Sequence, residues 1–536
     1  YFKYTQELEK DYGKPTIVLM QVGAFFEAYG WKHDTEKNDY ENSNIVDYAN
    51  LCELKIAEKQ PLNTGEYYYM AGFRDYSLDK YLKKLHEANY TVAVYKQDEQ
   101  TTGTTRSLFG IYSPGTYFPK ESSQITNSIS CIWLVYSPST NKYVIGLSNI
   151  DVITGTSNIY EFYELSNSPS FDQIERFISI NKPNEIIFIH HDKLEVVNKI
   201  IQYCDFSQRS HHIIDLDESS NNDSSSNNTK RAKNCENQTY QFEIFKKFYY
   251  NFTLTHELFE YTIAIQSICF LLDWIWRHNP NLVHNIQPPI FENYSNHMIL
   301  ANHSLKQLNI INDSSLTNNS SLSCVNNLLN QCKTAMGKRK TYFNLTHPTT
   351  DFKELNNLYS ITEYLIQDIY ESNTNNYILS FTAVSRMKLA TIQDIDKFNR
   401  KLIHNTITPN DIYKLYNDLK HTIEIYDTVE KNYTICSYLF PNNTETGHDF
   451  HSYVSSLITM IDYTFDIVLC NGNDSSNDAD FNFIKKGFDA DHDSLVTKYQ
   501  NTNSDINNVQ TFLSYIIGLN EKKKDKYNKG FISLNI

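Results

Sequence analysis

The stretch Gln21-Val22-Gly23-Ala24-Phe25-Phe26-Glu27-Ala28-Tyr29 holds the two side chains whose types and spacing suggest chemistry most directly. Phe25 and Glu27 stand two apart, just after a glycine that follows the apolar run Ile17 to Met20. If the segment leaves that turn extended, alternation puts ring and carboxylate on one face. A ring can wedge into a base stack, and an acid can accept a hydrogen bond from an exposed base edge. Phe-x-Glu also arises by chance in a chain with 30 Phe. On local grounds the competing reading places Phe25 in a core and Glu27 in solvent.

Other groups invite the same question. Asp489-Ala490-Asp491-His492-Asp493 holds metal-ligating side chains, but consecutive helical positions diverge, so it reads as a solvated helix start. His190-His191 and His211-His212 have no partners at useful spacing. The nine cysteines form no Cys-x-x-Cys pair and no zinc spacing, as expected of reduced core thiols in an intracellular protein. No Gly-x-x-x-x-Gly-Lys-Ser/Thr occurs, since Gly337-Lys338-Arg339 lacks both the hydroxyl and the preceding glycine. No catalytic residue, cofactor or metal is therefore expected within this sequence, and no ATP hydrolysis.

The elements that must position Phe25 and Glu27 follow in order. They are Tyr69-Met70-Ala71-Gly72-Phe73, the amphipathic run Leu78 to Leu85, the strand-like Tyr90 to Tyr95, and Ser113-Pro114-Gly115-Thr116. This order and spacing resembles the mismatch-recognition domain at the N-terminus of MutS-type DNA mismatch repair proteins. Ala24 stands where that family usually has Asp, while the Phe and the Glu are kept. The resemblance implies that Phe25 and Glu27 read a mispaired base. Charge and family position together suggest Lys3, Lys14, Arg74 and Arg106 as contacts to the DNA backbone.

A chain of 536 residues predicts several domains. Residues 1–120 read as a mixed α/β mismatch-recognition domain. The strand-like runs Cys131 to Tyr136, Tyr143 to Leu147 and Val152 to Ile159 follow, then a helix near Phe171 to Ile180 and the buried run Glu185 to Ile189. That pattern indicates an α/β layer over 128–215. In MutS this place is held by a connector with an RNase H-like fold. Residues 216–240 are rich in Ser, Asn and Asp and read as a disordered loop, the patch Lys230-Arg231-Ala232-Lys233 included. Helical periodicity dominates 241–536, with Tyr261 to Trp276 a clear run that Pro288-Pro289 interrupts. Leu308-Asn309-Ile310, Met336-Gly337-Lys338-Arg339 and Ile392 to Phe398 resemble parts of the family's core and lever domain, with Asn309 replacing the usual Glu. The fold class is thus multidomain α/β plus all-α.

A net charge of −15 argues against non-specific coating of nucleic acid, although local Lys and Arg can still bind it. Runs such as Ile263 to Leu272 are too short to span a bilayer. The start Tyr1-Phe2-Lys3, without Met or a signal peptide, suggests a piece of a longer protein that stops before the clamp and ATPase. The excess of Asn, Ile, Lys and Tyr suggests an AT-rich genome, such as that of a large DNA virus.

By resemblance, the partner is double-stranded DNA with mismatches or small loops. The full-length protein would be a homodimeric ATPase using ATP and Mg, and the present piece a monomer. The alternatives are a protein-interaction scaffold, or a MutS relative that holds branched DNA without mismatch readout. An RNase H-like nuclease is a further alternative, but the first connector strand has no acid and Asp151 stands alone.

Overall fold

The computed structural model describes residues 1–13, 15–32, 44–62, 66–98, 105–119, 124–166, 170–191, 194–206, 209–217, 227–249, 260–292, 297–298, 300, 302–311, 322–374, 380–430, 433–440, 450–472 and 482–521. They form two compact units, one of residues 1–363 with 394–406, the other of 364–393 with 407–536. Among the described residues, no helix is long and apolar enough to cross a membrane.

The first unit begins with helix α1 (Phe2–Tyr12) and a six-stranded sheet. Its strands are β1 (Thr16–Val22), β2 (Phe25–Lys32), β3 (Ala57–Leu62), β4 (Glu66–Arg74), β5 (Thr91–Gln97) and β6 (Arg106–Tyr112), in the order β3-β4-β2-β1-β5-β6. Only β1 and β5 pair in parallel. Helices α2 (Ile45–Cys52) and α3 (Leu78–Glu87) close one face over Leu19, Phe26, Ala28 and Phe73. α1 covers part of the other, where the Tyr1 hydroxyl donates to the Val18 carbonyl oxygen and Tyr4 stacks on Tyr95.

The second sheet runs β11-β10-β7-β8-β9-β12. β7 (Ser128–Ser137), β8 (Lys142–Asp151) and β9 (Ser157–Leu165) are an antiparallel meander, whereas β10 (Glu185–His190) pairs in parallel with β7 and with β11 (Ser210–Asp215). Helices α4 (Asp172–Asn181) and α5 (Leu194–Tyr203) cover one face. The other face takes a central helix, Thr262–His278, buried at nearly every position from Ile263 to Ile275. Its backbone approaches so closely at Gly146 that an added Cβ would lie 2.4 Å from the Ile263 carbonyl carbon. The Glu161 carboxylate caps the helix, accepting from the Ile263 and Ala264 amides at 2.9 and 3.0 Å.

Several expectations give way here. Residues 152–156 form a turn rather than the start of a strand, because the Asp151 carboxylate accepts the Asn127 and Ile153 amides and Gly155 sits at φ +73°. Part of the expected disordered loop is helical. α6 (Asn227–Cys235) and α7 (Gln238–Phe248) bury Ala232, Cys235, Ile244 and Phe245 against the core, so the Lys230–Lys233 patch lies on an ordered helix. Their polar composition hides a sparse apolar stripe. With the central helix, these elements cover the second sheet, and Ile290–Phe291 (β12) joins it, so packing does not break at 216 or 241. The central helix covers the expected Tyr261 to Trp276 run, but Asn279-Pro280 rather than Pro288-Pro289 ends it, because Asn279 precedes a proline and takes extended backbone.

Two connections inside this unit explain motifs read in the sequence. The Ser113–Thr116 turn docks on Glu185, whose carboxylate accepts from the Ser113 hydroxyl and the Gly115 amide (3.0 Å) and lies 2.8 Å from His212 Nε2. A Cβ at Gly115 would fall 2.7 Å from the Glu185 Cβ, so only glycine fits. Arg339 forks onto Asp394, with both contacts at 2.7 Å, and also reaches Asp396, joining two of the core motifs. From helix Ile395–Ile403 the buried Arg400 donates to the backbone carbonyls of Val152, Leu282 and His284, and burial holds its guanidinium down at about 10. Asn309 takes φ +51°, a backbone region that Asn tolerates far better than Glu.

The second unit is helical. Helix Pro409–Val429 starts with a Thr408/Asp411 capping box and packs beside helix Phe450–Thr464, where the Tyr416 hydroxyl donates to Asp462. Asp489 caps helix Ala490–Glu521 by accepting the Asp491 and His492 amides. That matches a solvated helix start, and among the described residues no His/Cys/Asp/Glu group could hold a metal. All nine cysteines are unpaired, with Cys52, Cys131, Cys235, Cys269, Cys324 and Cys470 buried.

Burial pushes the Glu185 carboxyl upward, but the His212 and Ser113 contacts outweigh it and hold it below the usual range. A depressed acid stabilises the fold above its unfolded pKa, and that contribution disappears as pH falls through the folded value. Glu185→Gln is therefore expected to cost about 1.5–3 kcal/mol at pH 7. Urea titrations should show the wild-type advantage fading below about pH 4.3.

Candidate functional site

The β1–β2 hairpin turns through Gly23-Ala24, with Gly23 at φ +57° and Val22 opposite Phe25. β2 lies between β1 and β4, so its pleat sorts side chains strictly. Phe26 and Ala28 enter the core under α2 and α3. Phe25, Glu27 and Tyr29 take the opposite face, the shared face expected of Phe25 and Glu27.

Their exposures reverse the competing reading. Phe25, at the hairpin tip, is 43% exposed, whereas Glu27 is only 6% exposed. A carboxylate out of water needs donors. Glu27 Oε2 accepts from the Tyr29 hydroxyl at 2.5 Å and from Lys59 Nζ at 2.6 Å. Lys59 also contacts the Tyr29 hydroxyl at 3.2 Å and sits 4.8 Å from its ring centroid. Burial raises the Tyr29 pKa, and the Glu27 bond adds to the rise. For Lys59 burial acts downward, but the bonds to Glu27 and Tyr29 carry its pKa above the usual value.

Gly72 faces Glu27 across the β2–β4 ladder. A Cβ there would lie 2.6 Å from the Phe26 carbonyl oxygen and 3.0 Å from Glu27 Cγ. The absence of a side chain at Gly72 makes the room in which Glu27 lies.

The predicted basic residues separate. Arg74 is opposite Phe25, its guanidinium 5.8 Å from the ring centroid. Arg106 donates from Nε to the Gln21 carbonyl oxygen at 2.7 Å, just ahead of the turn. Gln97 ties the same turn, accepting from the Gly23 amide at 3.2 Å and donating its own amide to Gln21 Oε1 at 3.1 Å. Lys3 pairs with Glu7 on its own helix at 3.8 Å, and Lys14 lies outside the described residues. The hairpin tip therefore presents an exposed ring with Arg74 beside it and Arg106 bound to the backbone just ahead of the turn, near a buried charge cluster on the same face.

A model of MutS domain I matches residues 2–121, the whole first sheet with its hairpin, and a model of MutS domain III matches residues 303–502. This chain belongs to the MutS family. A DNA mismatch repair mutS homologue of Acanthamoeba polyphaga mimivirus is 26% identical, over 100% of this chain and 47% of its own length. The DNA mismatch repair protein MutS of Persephonella marina is 22% identical, over 96% of this chain and 51% of its own. The mitochondrial mutS homologue of Sarcophyton glaucum is 24% identical, over 72% and 42%. The chain thus spans about half the length of these MutS relatives.

The sequence alone gives Tyr29 and Gly72 no role of their own at the site and gives no hint of Lys59. Alternation from Glu27 could have reached Tyr29. Lys59 had no local signal, because its place depends on β3 pairing with β4. Gly72→Ala is expected to force β2 and β4 apart locally, at a cost of about 1–3 kcal/mol. Urea unfolding of the purified chain checks this, and an unchanged midpoint would show that the strands yield freely.

Proposed function

We propose that this chain is the mismatch-reading, connecting and lever portion of a MutS-type repair protein, and that it binds duplex DNA at a mispaired base or small loop. The observation that carries the reading is Phe25, a ring 43% exposed at the tip of a hairpin whose neighbouring strands are locked into a packed sheet. A ring so held can enter beside a mispair, where stacking is already weakened, and kink the duplex. In this reading Glu27 supplies a hydrogen bond to the displaced base, while Arg74 and Arg106 contact phosphates. Lys3 and Lys14 are further candidates for the backbone.

The second sheet serves as the connector. Its order β11-β10-β7-β8-β9, with a three-strand meander beside two parallel strands, supports an RNase H-like fold. Asp151 is spent on the turn amides and lies 7% exposed, with burial pushing its carboxyl up to about 6, which supports binding rather than nuclease chemistry. ATP with Mg and homodimer formation are proposed for the full-length protein. Gly337-Lys338-Arg339 does not fit a phosphate loop, since the Gly337 amide is already bound by the Thr334 hydroxyl that caps a helix. A scaffold or branched-DNA role would leave the retained, exposed Phe25 without a purpose.

Two substitutions divide the roles. Phe25→Ala should lose about 1–3 kcal/mol of binding to a G·T duplex through the missing stack. Glu27→Ala should bind matched duplex more tightly, because one negative charge near phosphate is gone, and discriminate less. Fluorescence anisotropy on matched and G·T duplexes reads both, and mismatch preference surviving in Phe25→Ala would end this reading.

A further inference from the structure

Glu27, where it lies, is poorly placed to touch a base. Its residue is 6% exposed, Gly72 backs it, and one of its oxygens is held by both Tyr29 and Lys59. Lys59 belongs to β3, the edge strand of the sheet, and its side chain is 40% exposed against 8% for Glu27. The cation can therefore leave more readily than the acid can be reached. Glu27 is also a negative charge that the hairpin would carry toward phosphates, and the Lys59 ammonium neutralises it at 2.6 Å.

We propose that Lys59 and Tyr29 form a latch on Glu27, which opens only when a mispaired base competes for the carboxylate. On opening, the Lys59 ammonium is released from the acid and transfers to a DNA phosphate. The latch rests on the reading of the Phe25 hairpin as the DNA-facing tip, and it makes Lys59 and Tyr29 positioning residues for mismatch discrimination. On matched duplex the pair stays closed, the acid remains neutralised, and Lys59 adds no phosphate contact. A mispaired site thus gains one ionic contact that a matched site does not.

The salt dependence of binding tests the exchange, because each neutralised phosphate adds about 0.9 to the slope of log affinity against log salt. The full chain and its Lys59→Gln, Lys59→Arg and Tyr29→Phe variants are titrated with matched and G·T duplexes. Lys59→Gln is expected to lose about one from the G·T slope and nothing from the matched slope. Lys59→Arg should restore the slope. Tyr29→Phe keeps its ring but removes one hydrogen bond from the closed state, so it should raise the G·T over matched preference roughly fivefold. A slope loss equal on both duplexes, or absent from both, overturns the latch. If Lys59→Gln fails to fold by thermal melting, Tyr29→Phe decides, and an unchanged preference there overturns the latch too. Phe25→Ala is run alongside. Loss of its G·T preference beside silent latch variants removes the latch alone, whereas retained preference removes the underlying reading.

Discussion

The pleat of β2 divides the first sheet into a core and a working face, and the site depends on that division. Phe26 and Ala28 are drawn inward by the apolar layer of α2 and α3, which forces Phe25, Glu27 and Tyr29 outward. A slip of one residue would exchange the two sets and bury the ring. The register is secured on both sides, by β1 and by β4, and by the two-residue turn at Gly23. The exposed ring is thus a product of core packing elsewhere in the strand.

Placing an acid on that face and then covering it creates a second requirement. Glu27, Glu161 and Glu185 are each removed from water, and each is matched to donors that include at least one from a distant segment. Glu161 draws on the first amides of the central helix, and Glu185 on the Ser113–Thr116 turn and His212. Glu27 differs because both of its donors are side chains, and one of them, Lys59, has a side chain 40% exposed. The two structural acids are answered by backbone amides and by side chains that are largely buried. The acid beside the hairpin tip is answered by a lysine that remains partly in solvent and by the Tyr29 hydroxyl.

Much of this was legible in the sequence wherever a local rule applied. The Gly23 turn, the alternation that pairs Phe25 with Glu27, and the α3 amphipathic run all depend on neighbours within a few residues. The Ser113–Thr116 turn was recognisable as a motif, but its reason, the fit of Gly115 against Glu185, lies 70 residues away. Lys59 was invisible for the same cause. The region 227–240 misled in the opposite direction, because its polar composition concealed Ala232 and Cys235, which pack under the central helix. Strand 157–165 was placed too early because Val152 and Ile153 are apolar and buried, yet they sit in a turn held by Asp151. Composition and local period cannot see a carboxylate that reshapes the backbone.

Exposure of an aromatic ring would not by itself mark a site here. Phe352, Tyr370, Tyr433 and Phe512 are all more exposed than Phe25, and all lie on helices. Scattered apolar surface of that kind is ordinary. Phe25 differs in its support. Its backbone is fixed by ladders on two sides, its turn is braced by Gln97 and Arg106, and its ring has Arg74 beside it. A ring fixed in this way resists displacement, whereas one on a helix end or loop would yield first. Laddered backbone beneath an exposed ring, with Arg74 beside it and a buried acid two residues on, separates Phe25 from incidental apolar surface.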